Sequence, residues 1–195
     1  MQSRAHELIA ATVVSIDPER GNIVLDLGKG GSAVLPRNEQ VPGETFTEGQ
    51  TVQVYVVDVL ATDRGPRVTI SRTHPGLVKR MFELEVPEIY DGTVEVKAIA
   101  REAGARTKLA VWSKNPDVDP VGACIGARGA RVEKIVQELN GEKIDVIRWS
   151  EDITEFISAA LSPAKVVKVE LLPGETKSCR VTVPDHQLSL AIGNK

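Results

Sequence analysis

Aromatic residues are scarce in this chain: two tryptophans, two tyrosines and three phenylalanines among 195 residues. Single-strand nucleic-acid platforms stack successive bases on such rings, at about 1–3 kcal/mol per base, so any such binding by the N-terminal part alone is expected to be modest. Cysteine is scarcer still. Cys124 and Cys179 stand far apart without C-x-x-C spacing, and His6, His74 and His186 are scattered, which argues against a disulfide framework or zinc cluster and implies no metal and no cofactor. No apolar run approaches the roughly 20 residues of a membrane span. Charges also interrupt the opening MQSRAHELIAATVV where a signal peptide would stay apolar, so a cytoplasmic protein without membrane contact is expected. Catalytic signatures are missing as well: G-x-S-x-G, G-x-x-x-x-G-K-[ST] and H-E-x-x-H do not occur. Asp117 and Asp119 flank a loop at Asn115-Pro116, and Asp119 reads as a helix cap before Pro120. No catalytic residue is expected.

Excess positive charge is the next absence. With 24 Lys and Arg against 27 Asp and Glu the formal net charge is -3, and no third of the chain is globally basic. A nucleic-acid site would therefore be local, made of a few placed cations and backbone donors.

What is present falls into three units. The first 72 residues hold short alternating apolar runs broken by glycine, proline and acidic turns. Five strands are predicted, over Leu8–Ile16, Ile23–Leu27, Ala33–Pro36, Thr51–Leu60 and Arg67–Ser71, a number and spacing that suit an OB-type β-barrel. After Thr73-His74-Pro75-Gly76 the period changes to that of a helix, with Leu77, Val78, Met81, Phe82 and Leu84 on one face and a stop at Val86-Pro87. Strands follow at Thr93–Ala100 and Thr107–Trp112, around a turn at Arg101–Arg106. A short helix Pro120–Ile125 leads to an amphipathic helix Ala130–Leu139 and a last strand Lys143–Trp149. A weaker copy begins with a helix Ile153–Leu161, strands Lys165–Leu172 and Ser178–Val183, and a helix from Asp185 to Ile192. ACIGARG at 123–129 and LAIGNK at 190–195 align at an offset of 67 residues when Gly126 is set against Gly193. The expected units are therefore 1–73, 74–150 and 151–195, the last stopping before its second helix and final strand and expected to be truncated, disordered or docked on its neighbour.

Gly126-Ala127-Arg128-Gly129 joins two helices, and from Val121 to Arg131 there is no acidic residue, while Arg128, Arg131 and Lys134 are cationic. Two glycines remove the Cβ atoms that would hold a sugar-phosphate backbone away, and a helix start offers free amide hydrogens to phosphate. This is how a G-x-x-G loop clamps about four nucleotides. A lone G-x-x-G equally suits a helix-turn-helix corner that needs glycine for packing; the order of elements around it and its repetition favour the clamp. On the barrel, Arg37, Arg64, Arg67 and Arg72 are candidates for an RNA path with Tyr55 as a stacking platform. Trp112 and Trp149 end strands and read as packing residues, and Cys124 as a small buried hydrophobe, with a reactive thiol beside Arg128 as the alternative.

The segments DPVGACIGARGARVEKIVQELNGEKIDVIRW, VPEIYDGTVEVKAIAREAGARTKLAVWS and VPDHQLSLAIGNK resemble the KH region of the NusA family of bacterial transcription elongation, termination and antitermination factors. The leading barrel resembles the family's S-one-type OB domain. The resemblance implies a multidomain α+β fold, an OB-type β-barrel followed by two prokaryotic-type (type II) KH domains, the second incomplete. It implies binding of single-stranded nascent RNA, with modulation of pausing, termination and antitermination. By motif position it carries phosphate clamping onto Gly126, Ala127, Arg128 and Gly129, and onto Gly193, Asn194 and Lys195 of the second KH unit, whose closing glycine is not present. RNA polymerase and other Nus factors are implied as partners of the full-length protein. The family's polymerase-contacting N-terminal domain has no counterpart here, so an excised RNA-binding fragment, monomeric and bacterial, is expected. Two rivals stand beside it: polynucleotide phosphorylase, which joins KH and S-one modules in the opposite order, and a scaffold whose KH folds bind protein instead of RNA.

Overall fold

The computed structural model describes residues 4–193. Strands β1 (Leu8–Ile16), β2 (Ile23–Asp26), β3 (Ser32–Leu35), β4 (Thr51–Thr62) and β5 (Gly65–Ser71) form one antiparallel sheet in the order β3-β2-β1-β4-β5. Edge strands β3 and β5 come close to each other without pairing, so the barrel is nearly closed. Alternation sets its interior: Ala11 and Val13 of β1 are buried while Thr12 and Val14 face out, and Leu25, Leu35, Val52, Val54, Val56 and Ile70 complete the core.

The outward set on the same strands has a different use. Leu8 pairs with Tyr55 across β1 and β4, and Leu8, Tyr55 and Val57 pack on the core of the second unit instead of meeting solvent. That unit opens with α1 (Pro75–Glu85), whose Leu77, Val78, Met81 and Phe82 are buried. His74 caps the helix, its Nδ1 accepting from the Gly76 amide at 2.9 Å. Val86 ends α1, but Pro87 starts a further turn, α2 (Pro87–Tyr90); a proline without an amide hydrogen suits a first helical position as well as it suits a stop.

Strands β6 (Val94–Glu102), β7 (Arg106–Ser113) and β8 (Lys143–Arg148) form a sheet in that order, β6 and β7 antiparallel, β7 and β8 parallel. The parallel pair is connected through α3 (Pro120–Ile125) and α4 (Ala130–Glu138). Leu109, Val111, Cys124, Ile135 and Leu139 join the α1 residues in one core. The hairpin turn is shorter than the sequence suggested. Arg101 lies within β6, its guanidinium paired with Glu142 in full burial.

The third unit comprises α5 (Ile153–Ala160), β9 (Lys168–Leu171), β10 (Cys179–Thr182), a 3-10 turn over Asp185–Gln187 and α6 (Leu188–Ile192). Among the described residues its two strands pair antiparallel with each other alone, and neither α5 nor α6 contains a fully buried residue. It docks on the second unit through α5 against β8, and Lys108 Nζ donates to Ala160 O at 2.7 Å and Ser162 O at 2.6 Å.

Candidate nucleic-acid interface

Asp119 caps α3, its Oδ1 accepting from the Val121 amide at 3.2 Å. The helix ends at Gly126, where φ of 76° turns the chain into the left-handed region. Ala127–Gly129 form a 3-10 turn with Arg128 at φ 54°, and Gly129 at φ 79° starts α4. Both glycines are thus required by backbone conformation, but their surroundings differ. A Cβ on Gly126 would lie 2.7 Å from Arg131 Cγ, whereas a Cβ on Gly129 would meet nothing within 4 Å. Gly126 therefore also serves packing, and Gly129 holds the backbone open on its solvent side.

Arg128 is exposed and, among the described residues, makes no ion pair or side-chain hydrogen bond. Arg131 is placed otherwise: its Nη1 donates to Glu88 Oε2 at 2.9 Å and to Ala123 O at 2.7 Å, tying α4 to α2 and α3. Lys134 Nζ lies 2.6 Å from Glu85 Oε1, but at 67% side-chain exposure this pair is weak and exchangeable. The acid-free stretch of sequence is therefore not acid-free in space. Glu88 stands 43 positions before Arg131, and no local spacing signals that contact.

The third unit repeats the corner. Gly193 ends α6 with φ 73° and ψ -166°, against 76° and 175° at Gly126, and each glycine amide donates to the residue four before it, Ser189 O at 3.0 Å and Gly122 O at 2.9 Å. Asn194 and Lys195 lie outside the described residues.

Family comparison matches three modules in succession: an S1 RNA binding domain over residues 3–71, a NusA-like first KH domain over 72–149 and a NusA-like second KH domain over 153–195. The proteins named transcription termination/antitermination protein NusA from Halalkalibacterium halodurans and Bacillus subtilis are 58% and 55% identical over 173 residues, 89% of this chain and 45% and 46% of theirs. The chain belongs to the NusA family. The protein of that name from Mycobacterium tuberculosis is 48% identical over 193 residues, 96% of this chain and 56% of its own length. The chain spans about half the length of the relatives it matches.

On the S1 barrel the structure separates the candidate residues. Arg64 and Arg67, both exposed, line a groove of about 580 Å³ between β3 and β5, together with Asn38, Thr62 and Thr69. Arg37 lines a second groove of about 600 Å³ with Ile16, Phe46 and Val41. Tyr55 and Arg72 are buried and do not line an RNA path. Tyr55 is 6% exposed, its ring stacked on His74 at 4.6 Å and its hydroxyl 3.0 Å from His6 Nδ1, so it has no face for a base. Arg72 is 2% exposed, its guanidinium paired with Glu44 and bonded to Gln53 O within the barrel, while its carbonyl accepts from Arg101 of the KH domain. Both face inward because the outer side of β4 and the end of β5 form the domain junction, which a reading of the barrel alone does not anticipate.

Cys124 is fully buried in the KH core, and burial, reinforced by Glu88, pushes its thiol up to about 12, so the packing reading holds over the reactive one.

Proposed function

We propose that the chain is the RNA-binding part of a transcription termination and antitermination factor. It holds single-stranded nascent RNA against the G-x-x-G loop of the first KH domain and thereby biases polymerase pausing, termination and antitermination without catalysing a reaction. The observation that carries this reading is the open, left-handed backbone of Arg128 and Gly129 at the start of α4, with an exposed guanidinium beside it that is unpaired among the described residues. Phosphate would lie against the loop and the first α4 amides, which fixes register, while bases reach the apolar side of α3. Gly193 begins a second site of the same kind, extended by Asn194 and Lys195, and Arg64 and Arg67 offer a weaker contact on the barrel.

The S1 and two KH modules, 1–73, 74–150 and 151–195, act as one track, since linked weak sites gain affinity when each later contact is intramolecular. The name that the relatives carry, transcription termination/antitermination protein, supports the transcriptional role. RNA polymerase and other Nus factors are the proposed partners of the full-length protein in the bacterial cytoplasm, with this chain monomeric.

The test is fluorescence anisotropy with labelled single-stranded RNA over a salt series. Parent protein should bind, and Gly129→Asp, which sets a carboxylate beside the phosphate position without touching another side chain, should abolish binding. Equal binding by both would move the site off the loop. A folded parent that binds no RNA at low salt would favour the scaffold reading.

A further inference from the structure

Both tryptophans of the chain line one groove. It has a volume of about 540 Å³ and lies where the first KH domain meets the second, between Trp112, the loop through Lys114, Pro116 and Val118, the start of α3 at Pro120, and the segment Arg148–Glu151. Lys97 Nζ sits 4.8 Å from the Trp112 ring centroid and 5.0 Å from that of Trp149, bracing the two indoles, yet Lys97 does not line the groove. The structure thus holds two aromatic rings in fixed positions at a partly open surface, in a protein that has few aromatics to spare.

We propose that this groove receives a base of the same RNA strand that the G-x-x-G loop clamps, stacking it on Trp149, and so carries the strand from the first KH domain towards the second; this rests on the RNA-binding reading above. Continuity supports it. The wall at Pro120 and the loop at Gly126 are the two ends of α3, whose six residues span about 9 Å. The far wall includes Glu151 and Glu155, at the entry to α5 and the second KH domain.

The charges fit a base inside and phosphates on the rim. Glu151 and Glu155, both exposed, make the far wall unfavourable for phosphate, and the Glu155 carboxylate accepts from Ser150 Oγ at 2.9 Å. On the rim, Arg148 and Lys114 are 65% and 58% exposed, each held by one surface carboxylate, Asp119 at 3.3 Å and Glu95 at 2.9 Å. Pairs so exposed are weak and give way readily to phosphate. A base is flat and uncharged, and its π-face stacks on an indole whatever its sequence.

Intrinsic tryptophan emission reports on this groove alone, because Trp112 and Trp149 are the only tryptophans. The experiment titrates the whole chain at low salt with a labelled tetranucleotide, about the length one clamp takes, and with a labelled octanucleotide, following label anisotropy and tryptophan emission together. The octamer should quench the emission and the tetramer should not. Trp149→Ala should weaken the octamer about tenfold, as expected for one lost stacked base, while leaving the tetramer unchanged. Trp149→Phe, which keeps a ring face, should recover most of the loss and guards against a folding defect. Octamer binding with unaltered emission, and with equal affinity in Trp149→Ala, would overturn the proposal and leave the groove to a protein partner. If neither RNA binds, the clamp reading and this one fall together; tetramer binding that disappears in Gly129→Asp keeps the first, whatever the octamer shows.

Discussion

Arg101 and Glu142 meet with both side chains fully buried, Nη2 lying 3.1 Å from Oε1. The carboxylate also accepts from the Gly104 amide at 2.6 Å and from Thr107 Oγ1 at 2.9 Å. The guanidinium spends its Nη1 on Arg72 O at 2.8 Å and His74 O at 3.0 Å, the carbonyls of the segment that joins barrel to KH domain. One ion pair thus closes the KH hairpin and pins the linker. Arg72, a few residues away, grips Glu44 on the barrel side, and Asn140 donates to that same Glu44 at 3.0 Å.

Glu142→Ala leaves a buried guanidinium without its counter-charge, and the expected cost is about 3–5 kcal/mol. Arg101→Met should cost a similar amount. The double variant Arg101→Met/Glu142→Leu should lose clearly less than the sum of the two, because neither charge is left buried alone. Urea unfolding followed by tryptophan emission measures all three. Strict additivity would mean that the pair does not act as a unit.

His74 links the junction to pH. Burial pushes its pKa below the ordinary 6.5, with Glu39 opposing and His6 and Arg101 reinforcing the shift, and the cap on α1 uses a lone pair on Nδ1 that a protonated ring would lack. The neutral form belongs to the folded state. Above the ordinary value both states are neutral and the stability is fully present; as pH falls through it the unfolded chain takes up the proton first, and stability declines. The urea midpoint should therefore drop between about pH 7.5 and about pH 5.5. His74→Asn keeps a capping oxygen and removes the titration, so its midpoint should drop less over the same range. An identical pH dependence in both proteins would rule His74 out as the cause.

The elements legible from sequence were those whose signal is local. Strand β1 begins and ends where alternation places it, and α3 runs from Pro120 to Ile125 as its cap and glycine stop dictate. Strand ends elsewhere moved by a few residues, most at β9, which starts at Lys168, not Lys165, because it pairs with the short β10. The glycine corner was legible too, since the φ of 76° with ψ of 175° that turns the chain at Gly126 is a conformation open in practice to glycine alone. What sequence did not reveal is contact between units. Tyr55 occupies an outward barrel position, which alternation alone makes solvent-facing, but His74 stacks on its ring and it joins the core of the next domain. Likewise the cation count around the G-x-x-G loop omitted Glu85 and Glu88, which reach Lys134 and Arg131 through the packing of α1 and α2.

The two cysteines should separate cleanly by reactivity. Cys124 is buried with its thiol pushed up to about 12, so almost no thiolate forms at neutral pH, and access is closed as well. Cys179 is exposed at the start of β10. Native protein should take up one equivalent of a thiol reagent such as 5,5′-dithiobis(2-nitrobenzoate) rapidly, and the second only in denaturant. Cys179→Ser should remove the fast phase. Two fast equivalents in the native state would show that the core around α3 opens readily.

The two loop glycines should fail in different ways, and the difference separates fold from function. Gly126→Ala puts a methyl 2.7 Å from Arg131 Cγ at φ 76°, so it should unsettle the bonds that Arg131 makes to Glu88 and Ala123 as well as strain the backbone. Gly129→Ala, at φ 79° with open space around it, should cost only about the 1–2 kcal/mol of a left-handed alanine. Its methyl nevertheless stands on the side from which a phosphate would approach, so RNA affinity should fall while the fold persists. Arg128→Ala should leave the unfolding midpoint unchanged, since the side chain has no intramolecular partner among the described residues, and should flatten the log-log salt slope by about 0.7, one phosphate contact. Lys134→Ala should change that slope less, because Glu85 already offsets its charge. If Arg128→Ala leaves both affinity and slope unaltered, phosphate does not lie against this loop, and the charge that steers the RNA must be sought at Arg64 and Arg67 on the barrel.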